Sequence, residues 1–320
     1  MKESFLSPTG PYKIGTSRVD LYDNNRPEVN YPNGRLIPCQ WYFPMGRTHE
    51  HKTYEKELEI RGLRIFPALE SLCFSEPSDL NSICDGQFPL VILNHGNCVN
   101  MTDYTFITEE LASHGYVVVS ICHQLGSDPE QPEFWSGRSC SKHALVIDNI
   151  LYVFNWISRN TDNVFHHKLD TGKTALIGHS MGGNALLMLA NRISSVFRKT
   201  DEHLLPHIHA VNSIKECIIF MDGEFPPIYS KNIPVFYMLS EERKDYQKTT
   251  GSIDYLVNNQ CKFKHYNGSK HISFMDHGLV YSNSSNQTNI YFNGSYEELR
   301  AFYQDVRKDI REFLISNEIK

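Results

Sequence analysis

The sequence predicts an α/β fold with a mostly parallel central sheet, antiparallel N-terminal strands and helices on both faces. Between residues 88 and 316, short and continuously apolar segments alternate with segments of helical length. Strands that are apolar on both faces and separated by helices are typical of a parallel sheet covered on two sides. Before them, residues 1–45 contain extended segments separated by turn signals, which predicts antiparallel strands.

The individual elements follow from periodicity and from turn chemistry. "SRVDLYD" and "RLIPCQWYFP" are predicted strands, and the mixed, charged residues 46–87 are expected to hold a helix and surface loops. The later predicted strands are 88–96, 116–123, 174–179, 216–222, 233–240 and 261–266. The predicted helices are 102–115, 143–160, 184–197 and 296–316, and "SNSSNQTN" (282–289) is expected to be a polar loop.

Composition excludes several classes of protein. The 320 residues are 40% hydrophobic and 21% charged, an ordinary balance for a soluble globular protein. The net charge of −6 and the absence of a basic stripe exclude nucleic acid as a partner. The N-terminus lacks the apolar core of a secretory signal, and no apolar run approaches the roughly 20 residues that span a bilayer. We therefore expect a cytoplasmic protein whose eight cysteines, which include no CxxC pair, are reduced.

A G-x-S-x-G pattern lies at one predicted strand-to-helix junction. Gly178 and Gly182 flank Ser180, with an apolar strand before the motif and an apolar helix after it. A nucleophile on such a sharp turn has a strained backbone and needs small neighbours, and the helix N-terminus favours developing negative charge. The alternative is a glycine-rich turn in which the serine caps the helix. The context favours Ser180 as a nucleophile.

A serine nucleophile needs a base, and the base needs an acid that orients it. On a turn of this type, the partners follow along the chain as acid and then histidine. Asp222 directly follows an apolar strand and is the favoured acid, with Glu241 and Glu242 at the end of the next strand as rivals. His271 lies in a turn after the last predicted strand and is the predicted base.

Attack on a carbonyl also needs hydrogen-bond donors for the oxyanion. One donor is expected from the backbone N–H of Met181, directly after the nucleophile, and the other from the loop after the strand that ends "LNHGN". His95 and Gly96 form a tight turn there, so the N–H of Asn97 is the natural second donor. We interpret His95 itself as a hydrogen-bonded structural residue.

Taken together, these segments resemble the α/β hydrolases. They resemble more closely the platelet-activating factor acetylhydrolase group, the calcium-independent, lipoprotein-associated type of phospholipase A2. The matching segments are "SPTGPYKIGTSRVDLYD", "PLVILNHGN", "ELASHGYVVVSICHQ", "GHSMGGNALLM", "IFMDGEFPP" and "GSKHISFMD". Residues 46–87 and 124–142 match poorly, and "HGN" replaces a more apolar loop.

The resemblance implies one α/β-hydrolase domain over residues 1–320. The two poorly matching segments are then candidate insertions that form a lid or an acyl pocket. In the second of them, Phe134 and Trp135 either line that pocket or a membrane-touching lip, or anchor a buried loop. "TGKT" (171–174) lacks the earlier Gly of a phosphate-binding loop, which excludes nucleotide binding of that type.

The same resemblance implies the roles of the site residues. In that group the acid follows the strand after the nucleophile strand, which selects Asp222 over its two rivals. It likewise implies His271 as the base, with the backbones of Asn97 and Met181 as oxyanion donors. No metal or organic cofactor is implied.

The predicted function is hydrolysis of a carboxylic ester through an acyl-enzyme. The resemblance implies a phospholipid with a short or oxidised sn-2 acyl chain as substrate, and transient contact with a lipid surface. One alternative is a dienelactone-hydrolase-like or general short-chain esterase. An alternative of another class is a catalytically silent hydrolase fold that binds a ligand or a partner.

Overall fold

The computed structural model describes most of the chain. The described residues are 6–26, 34–47, 52, 54–55, 72–97, 99–123, 142–159, 167–194, 215–223, 233–285 and 288–320. Their strands are β1 (Tyr12–Asp23), β2 (Arg35–Arg47), β3 (Tyr54–Glu55), β4 (Leu72–Cys73), β5 (Glu76–Pro77), β6 (Phe88–Asn94), β7 (Val117–Ile121), β8 (Leu169–His179), β9 (Lys215–Met221), β10 (Val235–Ser240) and β11 (Lys262–Tyr266).

Nine of these strands form one sheet in the order β5-β1-β2-β7-β6-β8-β9-β10-β11. The strands from β7 to β11 pair in parallel, because each is reached by a crossover connection. β2 pairs antiparallel with both β1 and β7. The predicted fold class, a mostly parallel sheet with antiparallel N-terminal strands, is confirmed. The one-domain organisation stays a prediction, supported by the continuity of this sheet.

Helices cover both faces of the sheet. They are α1 (Thr105–Ser113), α2 (Lys142–Arg159), α3 (Met181–Ser194), α4 (Lys244–Thr249), α5 (Ser252–Asn258), α6 (His277–Ser285), α7 (Thr288–Tyr291) and α8 (Tyr296–Ser316). Apolar residues of α1 and α8 pack on one face, and those of α2 and α3 pack on the other. Alternate residues of β6 divide between the two clusters, Val91 and Leu93 on one side, Leu90 and Ile92 on the other, which explains why that strand is apolar throughout.

Helix α1 is capped by a residue from a distant part of the chain. The carboxylate of Asp276 accepts hydrogen bonds from the N–H of Thr105 at 2.7 Å and from the N–H of Phe106 at 3.0 Å. These N–H groups lie in the first turn of the helix and have no acceptor within it. Because Asp276 closely follows His271 in sequence, this cap also ties the segment that carries the predicted base to α1.

Some predicted elements differ from the structure. Residues 282–289 are not simply a loop, since α6 extends to Ser285 and α7 begins at Thr288. In residues 46–87, the described part holds short strands and one 3₁₀ turn (Leu80–Ser82), while 48–51, 53 and 56–71 lie outside the described residues, so the helix expected in this segment stays a prediction. Among the described helices, none is both long and apolar enough to cross a membrane.

Candidate active site

The carboxyl ends of neighbouring strands carry the predicted nucleophile and acid. Ser180 directly follows β8 and Asp222 directly follows β9, while His271 begins a 3₁₀ helix in the turn after β11. The N–H of Ser180 donates to the carbonyl of Met221 at 2.9 Å, and the N–H of Asp222 donates to the carbonyl of Met238 at 2.9 Å. These bonds continue the parallel ladder one residue beyond the strands, so the sheet itself fixes both backbones.

The nucleophile turn has the strain that its motif predicts. Ser180 has φ 53°, in the left-handed region that non-glycine residues rarely occupy. A Cβ on Gly178 would lie 2.6 Å from the N of Gly183, and a Cβ on Gly182 would collide with the carbonyl of Asn94. Both motif glycines are therefore required by close backbone approach, and Ser180 is held between β8 and α3.

His271 lies between the serine and the aspartate. Ser180 Oγ lies 3.0 Å from His271 Nε2, so the hydroxyl donates to this nitrogen, and His271 Nδ1–H donates to Asp222 Oδ2 at 2.8 Å. The three residues that chain order predicted are thus brought into one hydrogen-bonded row. Such a row can deprotonate a hydroxyl as it attacks a carbonyl.

Asp222 is fully buried, and its carboxylate is held at both oxygens. Oδ1 accepts from the N–H of Ser240 and Oδ2 accepts from its hydroxyl, each at 2.8 Å. The Arg243 guanidinium lies 3.7 Å away. Burial acts to raise the pKa of Asp222, but the hydrogen bond and charge of His271, then Ser240 and Arg243, lower it below its ordinary value. The acid is therefore an anion at neutral pH, suited to orient an imidazole.

The two rival acids contact the backbone of the base-bearing turn. Glu242 Oε2 accepts the N–H of His271 at 2.8 Å, and Glu241 Oε2 accepts the N–H of Gly268 at 2.6 Å. Asp222 contacts the imidazole ring of His271, whereas these glutamates hold the main chain around it. The geometry favours Asp222 as the orienting acid.

One predicted oxyanion donor, Met181, directly follows the nucleophile in sequence, and the other, Asn97, directly follows a glycine that contacts it. A Cβ on Gly96 would be 3.0 Å from the Cβ of Ser180, so the loop that continues into Asn97 touches the serine. Met181 is the first residue of α3, and its N–H has no acceptor within the helix. Their role in binding an oxyanion stays a prediction.

His95 makes the hydrogen bonds expected of a structural residue. Its Nδ1–H donates to the carbonyl of Gly96 at 2.7 Å, and its Nε2 accepts from the N–H of His123 at 2.9 Å. Burial lowers the pKa of His95, which favours the neutral ring that this pattern of one donor and one acceptor needs. The Gly96 carbonyl is therefore fixed, and with it the orientation of the peptide group that carries the Asn97 N–H.

Three further residues contact the site and were not predicted from the sequence. His179 lies inside the serine motif and contacts the backbone of His271, Tyr104 contacts His179, and Ser240 binds the acid. His179 and Ser240 each end an apolar strand, as in "IPVFYMLS", which is a weak signal without the fold, and Tyr104, between Asp103 and Thr105, lacks even that signal. Phe134 and Trp135, the predicted substrate-binding pair, lie outside the described residues. Within the described ranges, no group of His, Cys, Asp or Glu side chains could hold a metal ion.

A solved structure matches the fold over nearly the whole chain. A ferulic acid esterase from Streptomyces cinnamoneus covers 96% of this chain and 91% of its own, with a TM-score of 0.67 and 16% sequence identity. At that identity the likeness concerns the fold, and it agrees with the mostly parallel sheet described above. The chain has the α/β-hydrolase fold, as predicted.

Comparisons by sequence cover parts of the chain. A family model described as Chlorophyllase matches residues 51–201. A chlorophyllase type 0 of Chenopodium album is 25% identical over 164 residues, which are 45% of this chain and 43% of that relative. A platelet-activating factor acetylhydrolase of Cavia porcellus is 26% identical over 292 residues, which are 73% of this chain and 64% of that relative. Each alignment spans less than two thirds of the relative.

Proposed function

We propose that this α/β hydrolase is a serine carboxylic-ester hydrolase. The observation that carries the proposal is the row of Ser180, His271 and Asp222, joined by hydrogen bonds of 3.0 and 2.8 Å at the carboxyl end of the sheet. Support also comes from its similarity to a ferulic acid esterase and to an acetylhydrolase.

The reaction follows from the place of each group. Ser180 Oγ attacks the ester carbonyl while His271 Nε2 takes its proton, and His271 then returns the proton to the leaving alcohol. Asp222 holds the ring in the tautomer with Nδ1–H and stabilises the imidazolium. The N–H groups of Asn97 and Met181 bind the oxyanion. Water activated by the same histidine then releases the acid from Ser180.

For the substrate we propose a phospholipid with a short or oxidised sn-2 acyl chain, cleaved without calcium. The acetylhydrolase alignment over 73% of the chain supports this choice. No step of the reaction above requires a metal, because the row of three side chains supplies the nucleophile, the base and the charge. We place Phe134 and Trp135 in the acyl pocket and treat residues 1–320 as one domain.

A second candidate is an ester of the kind that chlorophyllases cleave. The specific observation in its favour is the family model over residues 51–201, supported by the Chenopodium album relative. A general short-chain esterase and a silent binding protein remain further outcomes of the same experiment.

The test is a substrate panel with the wild-type chain and Ser180→Ala. The panel contains an acetylated ether phospholipid, the same lipid with a long sn-2 chain, p-nitrophenyl acetate, methyl ferulate and chlorophyll. We expect the acetylated lipid to have the highest kcat/KM and Ser180→Ala to lose all turnover. Preference for another member reassigns the substrate. A folded wild-type chain that cleaves no ester and resists a fluorophosphonate probe contradicts the proposal.

A further inference from the structure

Three consecutive hydrogen bonds connect the two loops that meet at the nucleophile. The N–H of Gly96 donates to Tyr104 Oη at 3.2 Å. Tyr104 Oη lies 3.0 Å from His179 Nδ1, and His179 Nε2 lies 3.0 Å from the carbonyl oxygen of His271. This connection, which we call the Tyr104–His179 bridge, begins on the loop that leads into Asn97 and ends on the backbone of the base.

The direction of every bond in the bridge follows from its two ends. The carbonyl of His271 can only accept, so His179 carries its proton on Nε2. A neutral ring then accepts at Nδ1, and the hydroxyl of Tyr104 must donate to it. The same hydroxyl oxygen accepts the N–H of Gly96. Every hydrogen bond in the bridge therefore pairs one donor with one acceptor.

The environment keeps this proton arrangement. His179 and Tyr104 are 2% and 0% exposed. Burial and then the charge of His271 lower the pKa of His179 to about 3, so its ring is neutral at pH 7. The centroids of the His179 and His271 rings are 4.7 Å apart, with 32° between the planes. A neutral neighbour at this distance does not repel the imidazolium that forms on His271 during the reaction.

We propose that His179 and Tyr104 are positioning residues that set the distance between the oxyanion loop and the base. The inference rests on the proposed ester hydrolysis. Neither side chain touches the substrate in this scheme, since His179 acts through the carbonyl of His271 and Tyr104 acts through the N–H of Gly96. The bridge thus aligns the group that removes the proton with the donors that receive the negative charge.

The test uses variants that break defined links of the bridge. Tyr104→Phe removes the hydroxyl and with it the bonds to the N–H of Gly96 and to His179 Nδ1, and His179→Leu removes the bonds to Tyr104 and to the carbonyl of His271. We expect each to lower kcat about 10- to 100-fold with KM changed less than about twofold, because displacement by about 1 Å can cost about a hundredfold. The double variant should lose less than the product of the two single losses, because both single variants remove the Tyr104–His179 bond. His179→Gln, whose amide offers an N–H to the carbonyl of His271 and an oxygen to the hydroxyl of Tyr104, should recover part of the kcat that His179→Leu loses.

Tyr116→Phe is the matched control. Tyr116 is a buried tyrosine whose hydroxyl donates to the carbonyl of Ile319 at 2.8 Å, a contact to the C-terminal segment outside the bridge. It should lower the unfolding midpoint about as much as Tyr104→Phe while leaving kcat unchanged. The inference is overturned if the losses multiply in the double variant, or if both single variants keep kcat within twofold of wild type. An equal loss of kcat in Tyr116→Phe also overturns it. An inactive wild-type chain overturns the proposed function instead.

Discussion

Replacing Asp222 by asparagine tests the site sharply, because the structure decides which way the new amide must face. Asp222 Oδ1 accepts the backbone N–H of Ser240 at 2.8 Å. A backbone donor cannot reverse, so the amide oxygen of asparagine has to occupy this position. The amide nitrogen then takes the place of Oδ2 and points its hydrogens at the hydroxyl of Ser240 and at Nδ1 of His271.

The consequence is a histidine in the wrong tautomer. His271 must now accept at Nδ1, so its proton moves to Nε2, where it can no longer take the proton of Ser180. We expect kcat to fall by about 10⁴, or about 5 kcal/mol of transition-state stabilisation, as in the corresponding change in other serine hydrolases. The fold should persist, because the amide keeps both contacts with Ser240.

The assay is hydrolysis of p-nitrophenyl acetate across pH 6–9, with Glu242→Gln as the control. The control keeps an acceptor for the N–H of His271 and should retain activity within a few fold. Asp222→Asn that retains more than about a tenth of wild-type kcat refutes the reasoning. If Asp222→Asn stays active and Glu242→Gln loses activity, the assignment of Asp222 as the orienting acid is wrong.

Three further predictions concern acid stability, the distant helix cap and metals. Glu110 is buried, yet bonds from His114 and Thr9 and the charge of Arg307 lower its pKa to about 2. The ionised Glu110 should therefore stabilise the folded state by about 3 kcal/mol above pH 4.5, and this contribution should be lost as the pH falls to about 2. In urea melts, the free energies of unfolding of wild type and Glu110→Gln should differ at pH 7 and converge near pH 2. Asp276→Ala leaves two N–H groups of α1 without their acceptor and should lower the free energy of unfolding by about 3 kcal/mol in urea melts; an unchanged value contradicts the cap. Activity should survive dialysis against EDTA, and a loss restored by a divalent cation contradicts the scheme.

Periodicity predicted the elements that have strong apolar patterns. Helix α8 has the predicted bounds, because Ser295 and Glu298 form a capping box at its start and Leu299, Phe302 and Val306 line its buried face. Short, polar helices such as α6 gave no such signal and were missed. Helix α1 begins at Thr105 and not at residue 102, because its cap is Asp276, which no local pattern near the helix could indicate.

The site could be predicted to the extent that its chemistry imposes an order along the chain. The glycine spacing around Ser180 and the strand ends at Asp222 and before His271 are local signals. The Tyr104–His179 bridge has no such signal, because its partners lie far apart in sequence and become neighbours only when β6, β8 and the base-bearing turn are aligned. Residue type alone could not distinguish His179 from the other buried histidines.

Four described non-glycine residues have positive φ, and two of them are Ser180 at 53° and Asp222 at 45°. A conformation of this kind costs on the order of 1–3 kcal/mol for a side chain with a Cβ, and glycine adopts it without that cost. A variant with glycine at either position should accordingly have a higher unfolding midpoint than the corresponding alanine variant. The fold is thus less stable than it could be, and the difference lies in the two residues that the proposed reaction uses as nucleophile and acid.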